Sequence, residues 1–244
     1  LNSIFPNLSM SGSSDSAPVW VPLESNPEVL NEYLKKLGVT LDKYSVHDVY
    51  GLDPDILSMV PKPVIALILL FPLTENYEAY RREEEAKLTG TSCPPGLYHM
   101  KQTVHNACGT VALIHSVANN LDKLQIAEGS PLHSFLEETK SMTPEERAKA
   151  LANSNSVANA HQECASEGQS QVPPADEAVT PHFISFVLQA GKLYELDGRK
   201  ALPVCHGASS EESLLTDAAA VCRGFMKRDP NEVRFTILAL AGAQ

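Results

Sequence analysis

Apolar residues recur at helical spacing near the start of the chain and predict a first helix there. Asn26 is a suitable N-cap, Pro27 suits the first helical position and Gly38 suits the stop. Residues 64–71 form instead a continuous apolar run bounded by prolines, which predicts a buried central strand. This run is far shorter than the roughly 20 residues that cross a bilayer, so it does not predict a membrane span.

The other periodic segments predict further strands and helices in mixed order. They are, along the chain, a strand at 44–50, a short helix opened by Asp53 and Pro54, an exposed charged helix at 76–87, an apolar helix that leads on from Cys108, a helix that starts in the capping box of Thr143 and Glu146, a helix near 212–227 and a closing strand at 233–240. Strands interleaved with helices imply an α/β or α+β domain.

Residues 153–176 depart from this pattern because they are polar and small, with hardly any large apolar side chain. Such a segment cannot bury enough surface to offset its ordering entropy, so we expect a mobile loop. One alternative is a linker between two domains, but the chain that follows is too short to resemble a second self-sufficient domain. A lid or gate is therefore the better interpretation.

A chain of 244 residues can bury a sizeable core, and its length agrees with one domain as well as with two. The stretch at 1–17 is predicted to be disordered or an expression-derived extension, with Met10 as a candidate natural start. Residues 1–10 show no basic region followed by an apolar one, so they predict no secretory signal.

The charge and the cysteine content narrow the class of protein. The formal net charge of −11 at pH 7 argues against nucleic-acid binding and favours a basic or neutral partner. An odd number of cysteines without CxxC spacing predicts reduced thiols in the cytosol or nucleus, rather than disulfides or a zinc site. The cysteines are Cys93, Cys108, Cys164, Cys205 and Cys222.

Cys108 differs from the other cysteines because it directly precedes an apolar helical segment. At a helix N-terminus, unpaired backbone N–H groups and the positive end of the dipole stabilise a thiolate, which is the nucleophilic form. Gly109 removes a side chain where a substrate would approach. The alternative, a small cysteine that only packs the helix start, is the commoner case for a cysteine taken alone.

Gln102 lies upstream of Cys108 and outside the predicted helix, where its side-chain amide could face the thiol. An amide N–H together with the backbone N–H of Cys108 would form an oxyanion hole for acyl transfer. On spacing alone, a solvated glutamine is the commoner case.

Two alternating strands around a glycine turn predict a β-hairpin that carries His182 and Asp197. If the loop is residues 190–191, His182 pairs opposite Arg199. If the loop is residues 189–190, His182 pairs opposite Asp197. Both registers put His182 and Asp197 on one face, because strand side chains alternate with period two. A three-residue loop would put them on opposite faces.

The other histidines are weaker candidates for a general base. His47 and Asp48 are adjacent in a strand and point to opposite faces, so they cannot form a dyad. His105 lies too close to Cys108 along the chain, and His115 is expected to pack in the helix. No pair has metal-ligand spacing, so we predict no zinc site. The histidines for which a solvated role is the default are His99, His133, His161 and His206.

Six motifs, taken in order, resemble those of the short single-domain ubiquitin carboxyl-terminal hydrolases. They are WVPLESNPE (20–28), DVYGLD (48–53), KQT (101–103), NACGT (106–110), PEER (144–147) and LYELDGRK (193–200). The resemblance runs from Trp20 to about residue 240 and implies a single catalytic domain over residues 18–241. It implies a papain-like cysteine peptidase arrangement, with a central antiparallel sheet flanked by helices, a knotted backbone and an active-site crossover loop at about 153–177.

The resemblance implies a role for each of four residues. The family nucleophile falls on Cys108, the oxyanion glutamine on Gln102, the general base on His182 and the orienting aspartate on Asp197. These coincide with the residues that local context singled out. Pro181 departs from the aliphatic residue expected before the histidine, which leaves the triad intact and bears on the slot beside it.

The implied activity is deubiquitination through a thioester on Cys108. Such an enzyme cleaves small or unfolded adducts, joined as amides, esters or thioesters, from the carboxyl-terminal glycine of ubiquitin. Gly109 agrees with a narrow channel for the ubiquitin tail, and the segment at 153–176 would limit the size of the leaving group. No cofactor is implied. The expected partner is ubiquitin or a related modifier, with no nucleic acid and no membrane, and the expected state is a monomer in the cytoplasm or nucleus.

Two other interpretations stay open. One is a thiol hydrolase of another specificity, such as a papain-like protease or an enzyme for a related ubiquitin-like modifier. The other is a binding module that chiefly sequesters monoubiquitin with little turnover.

Overall fold

Six strands form one antiparallel sheet within residues 19–88, 90, 92–167 and 180–243, the part of the chain that the computed structural model describes. The strands are β1 (Tyr44–Asp48), β2 (Val64–Pro72), β3 (Pro181–Gln189), β4 (Lys192–Leu196), β5 (Val204–Ala208) and β6 (Thr236–Gly242). They lie in the order β1-β6-β2-β3-β4-β5, and each neighbouring pair is antiparallel.

Helices cover both faces of this sheet. They are α1 (Pro27–Lys36), α2 (Pro54–Leu57), α3 (Glu75–Lys87), α4 (Cys108–Ala118), α5 (Pro131–Thr139), α6 (Pro144–Asn153), α7 (Asn155–Glu167) and α8 (Leu214–Arg228). One hydrophobic core joins the sheet to α1 and α4–α7, and a second joins it to α2, α3 and α8. The predicted α/β fold, a central antiparallel sheet flanked by helices, is confirmed.

The central strands β2 and β3 pair with each other and are buried on both faces. The apolar run at 64–71 supplies β2, as predicted. In β3, Phe183 enters one core and Ile184 the other, because successive side chains point to opposite faces. His182 lies near the start of β3 and pairs opposite Phe71 of β2. It is therefore carried by a strand that the packing of two cores holds in place.

The ends of α1 and α6 follow the predicted capping signals. The Asn26 side chain accepts a hydrogen bond from the Glu28 N–H at 2.8 Å, and Gly38 follows the helix end with φ of 96°. Thr143 and Glu146 form the reciprocal capping box at the start of α6.

Helix α7 shows that the mobile loop predicted for 153–176 is wrong over residues 155–167. Its buried positions recur at helical spacing, but they hold small or polar side chains, so the sequence shows only a weak apolar stripe. Those positions are Val157, Ala160, His161, Cys164 and Ala165. Asn153 ends α6 and Ser154 is its C-cap, so the loop prediction is wrong there too. Residues 168–176 of the predicted loop and the predicted segment at 1–17 lie outside the described residues.

Several expectations about the whole chain stay predictions: the knotted backbone, the crossover loop and the single domain over 18–241. Within the described ranges, no helix combines the length and the apolar character needed to cross a membrane.

Candidate active site

Cys108 is the first residue of α4, as its sequence context predicts, and its side chain is half-buried. The N-cap position holds Ala107, which has no side-chain oxygen to bond the first N–H groups of the helix. Asn106 before it adopts a left-handed backbone with φ of 61°, and its side chain donates to the Trp20 carbonyl at 3.0 Å. The first N–H groups of α4 are therefore left near the Cys108 side chain, where the helix dipole favours negative charge.

The hairpin of β3 and β4 selects between the two registers that the sequence left open. Gln189 pairs with Lys192, so the loop is residues 190–191. Ala190 and Gly191 have φ of 51° and 72°, which are the positive values that a type I′ turn requires. Extension of this register puts Asp197 on a diagonal from His182 rather than directly opposite.

His182 and Asp197 meet across this diagonal. The Nε2 atom of His182 lies 2.7 Å from Oδ1 of Asp197, and both side chains are buried. The predicted contact between the two side chains is therefore present in the fold. Because Nε2 faces a carboxylate, it carries the proton, and Nδ1 is left to face Cys108.

The Asp197 carboxylate has further partners. Its Oδ1 atom also accepts the Arg199 N–H at 2.8 Å, and its Oδ2 atom accepts the Tyr77 hydroxyl at 2.8 Å. The sequence pattern predicts Tyr77 only as part of an exposed charged helix and assigns it no role in the site. Nothing in the sequence distinguishes Tyr77 from Tyr80 in that helix, although Tyr77 is buried and Tyr80 is exposed.

The charges of the site support one another. Burial alone would lower the pKa of His182, but the Asp197 carboxylate and the nearby Cys108 sulfur favour the protonated ring and raise this pKa to about 9. Burial likewise opposes ionisation of Asp197, yet the His182 ring, Lys200 and the Arg199 N–H hold the pKa of Asp197 well below its ordinary value. The result is a protonated imidazole between a carboxylate and the Cys108 sulfur.

Gln102 lines the same open cleft as Cys108 and His182. Its backbone N–H donates to the Gly198 carbonyl at 2.8 Å, and its side-chain nitrogen donates to the Val104 carbonyl at 3.1 Å. An amide nitrogen carries two N–H groups, so one bond to Val104 leaves a second N–H for an oxyanion. The structure thus brings together all four site residues that the sequence predicts.

Gly109 has a different role from the one predicted. A Cβ atom there would lie 3.2 Å from Cδ1 of Leu23 and 3.4 Å from Cδ2 of Phe183. Gly109 is buried against the protein core and not against the cleft, so it permits close packing of α4 on β3. The inference of a substrate channel from this glycine is wrong.

Two histidines expected to be solvated are buried instead. His99 stacks on His115 with ring centroids 5.2 Å apart, and His161 bonds the Val21 carbonyl and the Thr110 hydroxyl. Burial lowers the pKa of both His99 and His161 to about 4. These histidines lie in segments that look like loops or polar stretches in the sequence. Such local context does not show whether a ring is packed in the core of the folded protein.

The site is equipped for nucleophilic acyl transfer. At a helix N-terminus the Cys108 thiol can act as a nucleophile, and the His182 ring can carry a proton. The Asp197 carboxylate can orient that ring, and the Gln102 amide can donate to an oxyanion. Acyl transfer by a thiol, an imidazole and a carboxylate in this arrangement does not require a metal.

The chain is similar to known hydrolases over most of its length. The family model described as ubiquitin carboxyl-terminal hydrolase, family 1, matches residues 20–227. A ubiquitin carboxyl-terminal hydrolase of Drosophila melanogaster is 52% identical over 227 residues, which are 92% of this chain and 98% of the relative. Ubiquitin carboxyl-terminal hydrolase isozyme L1 of Rattus norvegicus and of Homo sapiens are each 50% identical over 222 residues, 91% of this chain and 98% of the relative.

Solved structures show the same fold. The catalytic domain of Trichinella spiralis UCH37 bound to ubiquitin vinyl methyl ester matches with a TM-score of 0.69 at 23% identity, covering 92% of this chain and 96% of that chain. A second structure of Trichinella spiralis UCH37 with the same ligand matches with a TM-score of 0.67 at 24% identity, covering 92% and 83%.

Proposed function

The chain belongs to family 1 of the ubiquitin carboxyl-terminal hydrolases, and on that premise we propose that it releases small or unfolded adducts from the carboxyl-terminal glycine of ubiquitin. The observation that carries the proposal is the contact of His182 with Asp197, beside Cys108 at the start of α4. Relatives at 50% identity are named for this activity, and the UCH37 structures hold a ubiquitin electrophile.

Formation of the acyl-enzyme is the first half of the reaction. The Cys108 thiolate attacks the carbonyl carbon of the terminal glycine, and the carbonyl electrons move onto oxygen. The second N–H of Gln102 and the backbone N–H of Cys108 stabilise that oxyanion. Because the pKa of His182 is about 9, its ring carries a proton at neutral pH and can donate it to the departing amine, alcohol or thiol. The bond to the leaving group breaks and a thioester remains.

Hydrolysis of the thioester is the second half. His182, now neutral, takes a proton from a water molecule, and the resulting hydroxide attacks the thioester carbonyl. The second tetrahedral intermediate collapses with expulsion of the Cys108 thiolate, which restores the ion pair with His182. Asp197 keeps Nε2 as the protonated nitrogen throughout, so Nδ1 exchanges the reacting proton.

The surface of the protein suits the proposed substrate. With a net charge of −11, the chain should attract a basic ubiquitin face and tail and accelerate the encounter. We propose further that the chain acts as a monomer in the cytoplasm or nucleus. The exposed Cys205 and the half-buried Cys108, both free thiols, support a reducing compartment.

The test is covalent capture by ubiquitin vinyl methyl ester. We expect intact-mass spectrometry to show one adduct per chain and peptide mapping to place it on Cys108. A Cys205→Ser protein, which lacks an exposed free thiol, should label like the wild type, whereas Cys108→Ser should not label. A fluorogenic ubiquitin amide should then be turned over by the wild type and by Cys205→Ser, but not by Cys108→Ser. Absence of the adduct, or its formation on another cysteine, contradicts the proposal; an adduct without turnover supports a ubiquitin-binding module instead.

A further inference from the structure

We propose that Tyr77 is a positioning residue that fixes Asp197 for its contact with His182. The inference rests on the proposed function, since it concerns the same site. Its basis is the buried hydrogen bond from the Tyr77 hydroxyl to Oδ2 of Asp197 at 2.8 Å. Tyr77 touches neither the cleft nor Cys108, so it would act only through the carboxylate.

The two oxygens of Asp197 have separate tasks. Oδ1 faces Nε2 of His182 at 2.7 Å and also accepts the Arg199 N–H. The rotation of an aspartate about its terminal torsion is soft, because that torsion has broad wells. A bond to Oδ2 on the opposite side of the group therefore decides whether Oδ1 stays aimed at the imidazole. Tyr77 provides this bond from outside the hairpin.

Tyr77 is itself held rigidly. Its side chain is buried, its ring contacts Phe71 edge-on at 4.7 Å between centroids, and it stacks with Phe225 at 6.1 Å. Burial, followed by the charges of Asp197 and Glu195, raises the pKa of Tyr77 far above its ordinary value. The hydroxyl is therefore a permanent donor, whatever the pH at which the enzyme works.

Ion pairs also join helix α3 to the turn after β4. They help to hold the Tyr77 hydroxyl next to the Asp197 carboxylate. Glu78 contacts Nη1 of Arg199 at 2.5 Å, and Glu84 contacts Nζ of Lys200 at 2.5 Å. The helix that carries Tyr77 thus contacts the turn at two further points, beside the hydrogen bond to Asp197. The charged groups around the carboxylate are His182 from β3, Arg199 and Lys200 from the turn, and Glu195 from β4.

The experiment measures alkylation of Cys108 by iodoacetamide as a function of pH, followed by peptide mapping. For Tyr77→Phe we expect the midpoint of the profile to rise by about half a unit and the rate at pH 7 to fall by up to about threefold, because a less well oriented carboxylate stabilises the imidazolium less. The matched control is Tyr80→Phe on the same helix, whose exposed ring lies 3.5 Å from the Arg228 guanidinium. That variant should keep the wild-type profile.

Two further variants separate orientation from packing. Phe225→Leu loosens the packing of the Tyr77 ring but keeps the hydroxyl and its bond to Asp197. It should therefore lower the melting temperature and move the alkylation profile less than Tyr77→Phe does. In an Asp197→Ala background, Tyr77→Phe should have no further effect on the rate, because its only route of action is gone. The proposal is overturned if Tyr77→Phe leaves the profile unchanged, if Phe225→Leu moves it equally, or if the effect persists without Asp197.

The readout does not depend on the substrate. Iodoacetamide reports the Cys108–His182 pair directly, so a failure of ubiquitin vinyl methyl ester to label the protein would overturn the proposed function and leave this test intact. If the wild-type protein is labelled by ubiquitin vinyl methyl ester but Tyr77→Phe keeps the wild-type alkylation profile, the proposed function stands and the role of Tyr77 is overturned.

Discussion

The backbone N–H of Gln102 donates to the carbonyl oxygen of Gly198 at 2.8 Å. Gly198 directly follows Asp197, so one hydrogen bond joins the orienting carboxylate to the proposed oxyanion donor. An added Cβ on Gly198 would lie 2.9 Å from Cβ of Gln102 and 3.1 Å from Cγ1 of Val111. The relative placement of Asp197 and Gln102 therefore depends on a glycine at position 198.

Gly198→Ala should impair turnover by displacing Gln102. The new methyl group meets both the side chain and the backbone of Gln102, so we expect kcat to fall at least tenfold and stability to fall by about 1–3 kcal/mol, the usual cost of overpacking. The measurements are ubiquitin amide hydrolysis and urea unfolding. Gly224→Ala is the control: it lies in α8 with open space around its Cβ, and it should leave activity unchanged and add about 0.5–1 kcal/mol of stability. Equal activities in the two variants would contradict the prediction.

Gln102→Ala should remove one donor of the oxyanion hole. We expect a loss of about 10²–10³ in kcat, or roughly 2.7–4 kcal/mol of transition-state stabilisation, with little change in binding of ubiquitin itself. Steady-state kinetics with the ubiquitin amide provide the measurement. Gln162→Ala, an exposed glutamine on α7, should behave like the wild type. Full turnover by Gln102→Ala would refute the role given to this amide.

Lys200→Ala should be strongly destabilising. The Lys200 ammonium is buried and pairs with Glu84 and with the buried Glu195. Its removal takes a full positive charge away from the buried Glu195 carboxylate, which keeps its contact with His206. We expect a loss of about 3–5 kcal/mol in the free energy of unfolding by urea. The exposed pair of Lys140 and Glu137 supplies the control, since Lys140→Ala should cost about 1 kcal/mol or less. Similar losses in the two variants would show that Glu195 is not held by Lys200.

Acidification below neutral pH should destabilise the fold through His99 and His161. Burial lowers both pKa values from 6.5 to about 4, so the unfolded chain binds protons at a pH where the folded chain does not. Their contribution to stability is present above pH 6.5 and is lost as pH falls from about 6.5 to about 4. Each ring should account for on the order of 1–2 kcal/mol between pH 7 and pH 5, measured by urea unfolding.

The matched variants for this pH dependence are His161→Gln and His133→Gln. The first removes a buried titrating ring and should flatten the slope of stability against pH, even though its stability at pH 7 is lower. The second removes a half-buried ring at the start of α5 and should keep the wild-type slope. If His161→Gln keeps the wild-type slope, protonation of His161 does not contribute to the loss of stability at low pH.

Salt should slow the capture of ubiquitin but not the intrinsic reactivity of the thiol. Because the chain carries a net charge of −11, raising the ionic strength from about 0.05 to about 0.5 M should lower the second-order rate of labelling by ubiquitin vinyl methyl ester. Alkylation by iodoacetamide, which is uncharged, serves as the control and should change little. A labelling rate that ignores salt would rule out electrostatic steering.

Short-range signals in the sequence determined many of the local features. Capping residues place the ends of α1 and α6, the apolar run gives β2, and the context of Cys108 puts it at a helix N-terminus. These features depend on residues a few positions apart, so a single sequence contains them. The sequence predicted the hairpin but did not decide which residues form its loop. Both two-residue loops put His182 and Asp197 on one face.

The tertiary structure alone decided which partners surround those residues. The bond of Tyr77 to Asp197 joins residues 120 positions apart, and no local pattern encodes it. The burial of His99 and His161 and the packing of Gly109 against Leu23 likewise come from neighbours distant in the chain. Helix α7 forms because a stripe of small side chains gains its stability from the core it covers, which is a property of the assembled fold and not of the segment.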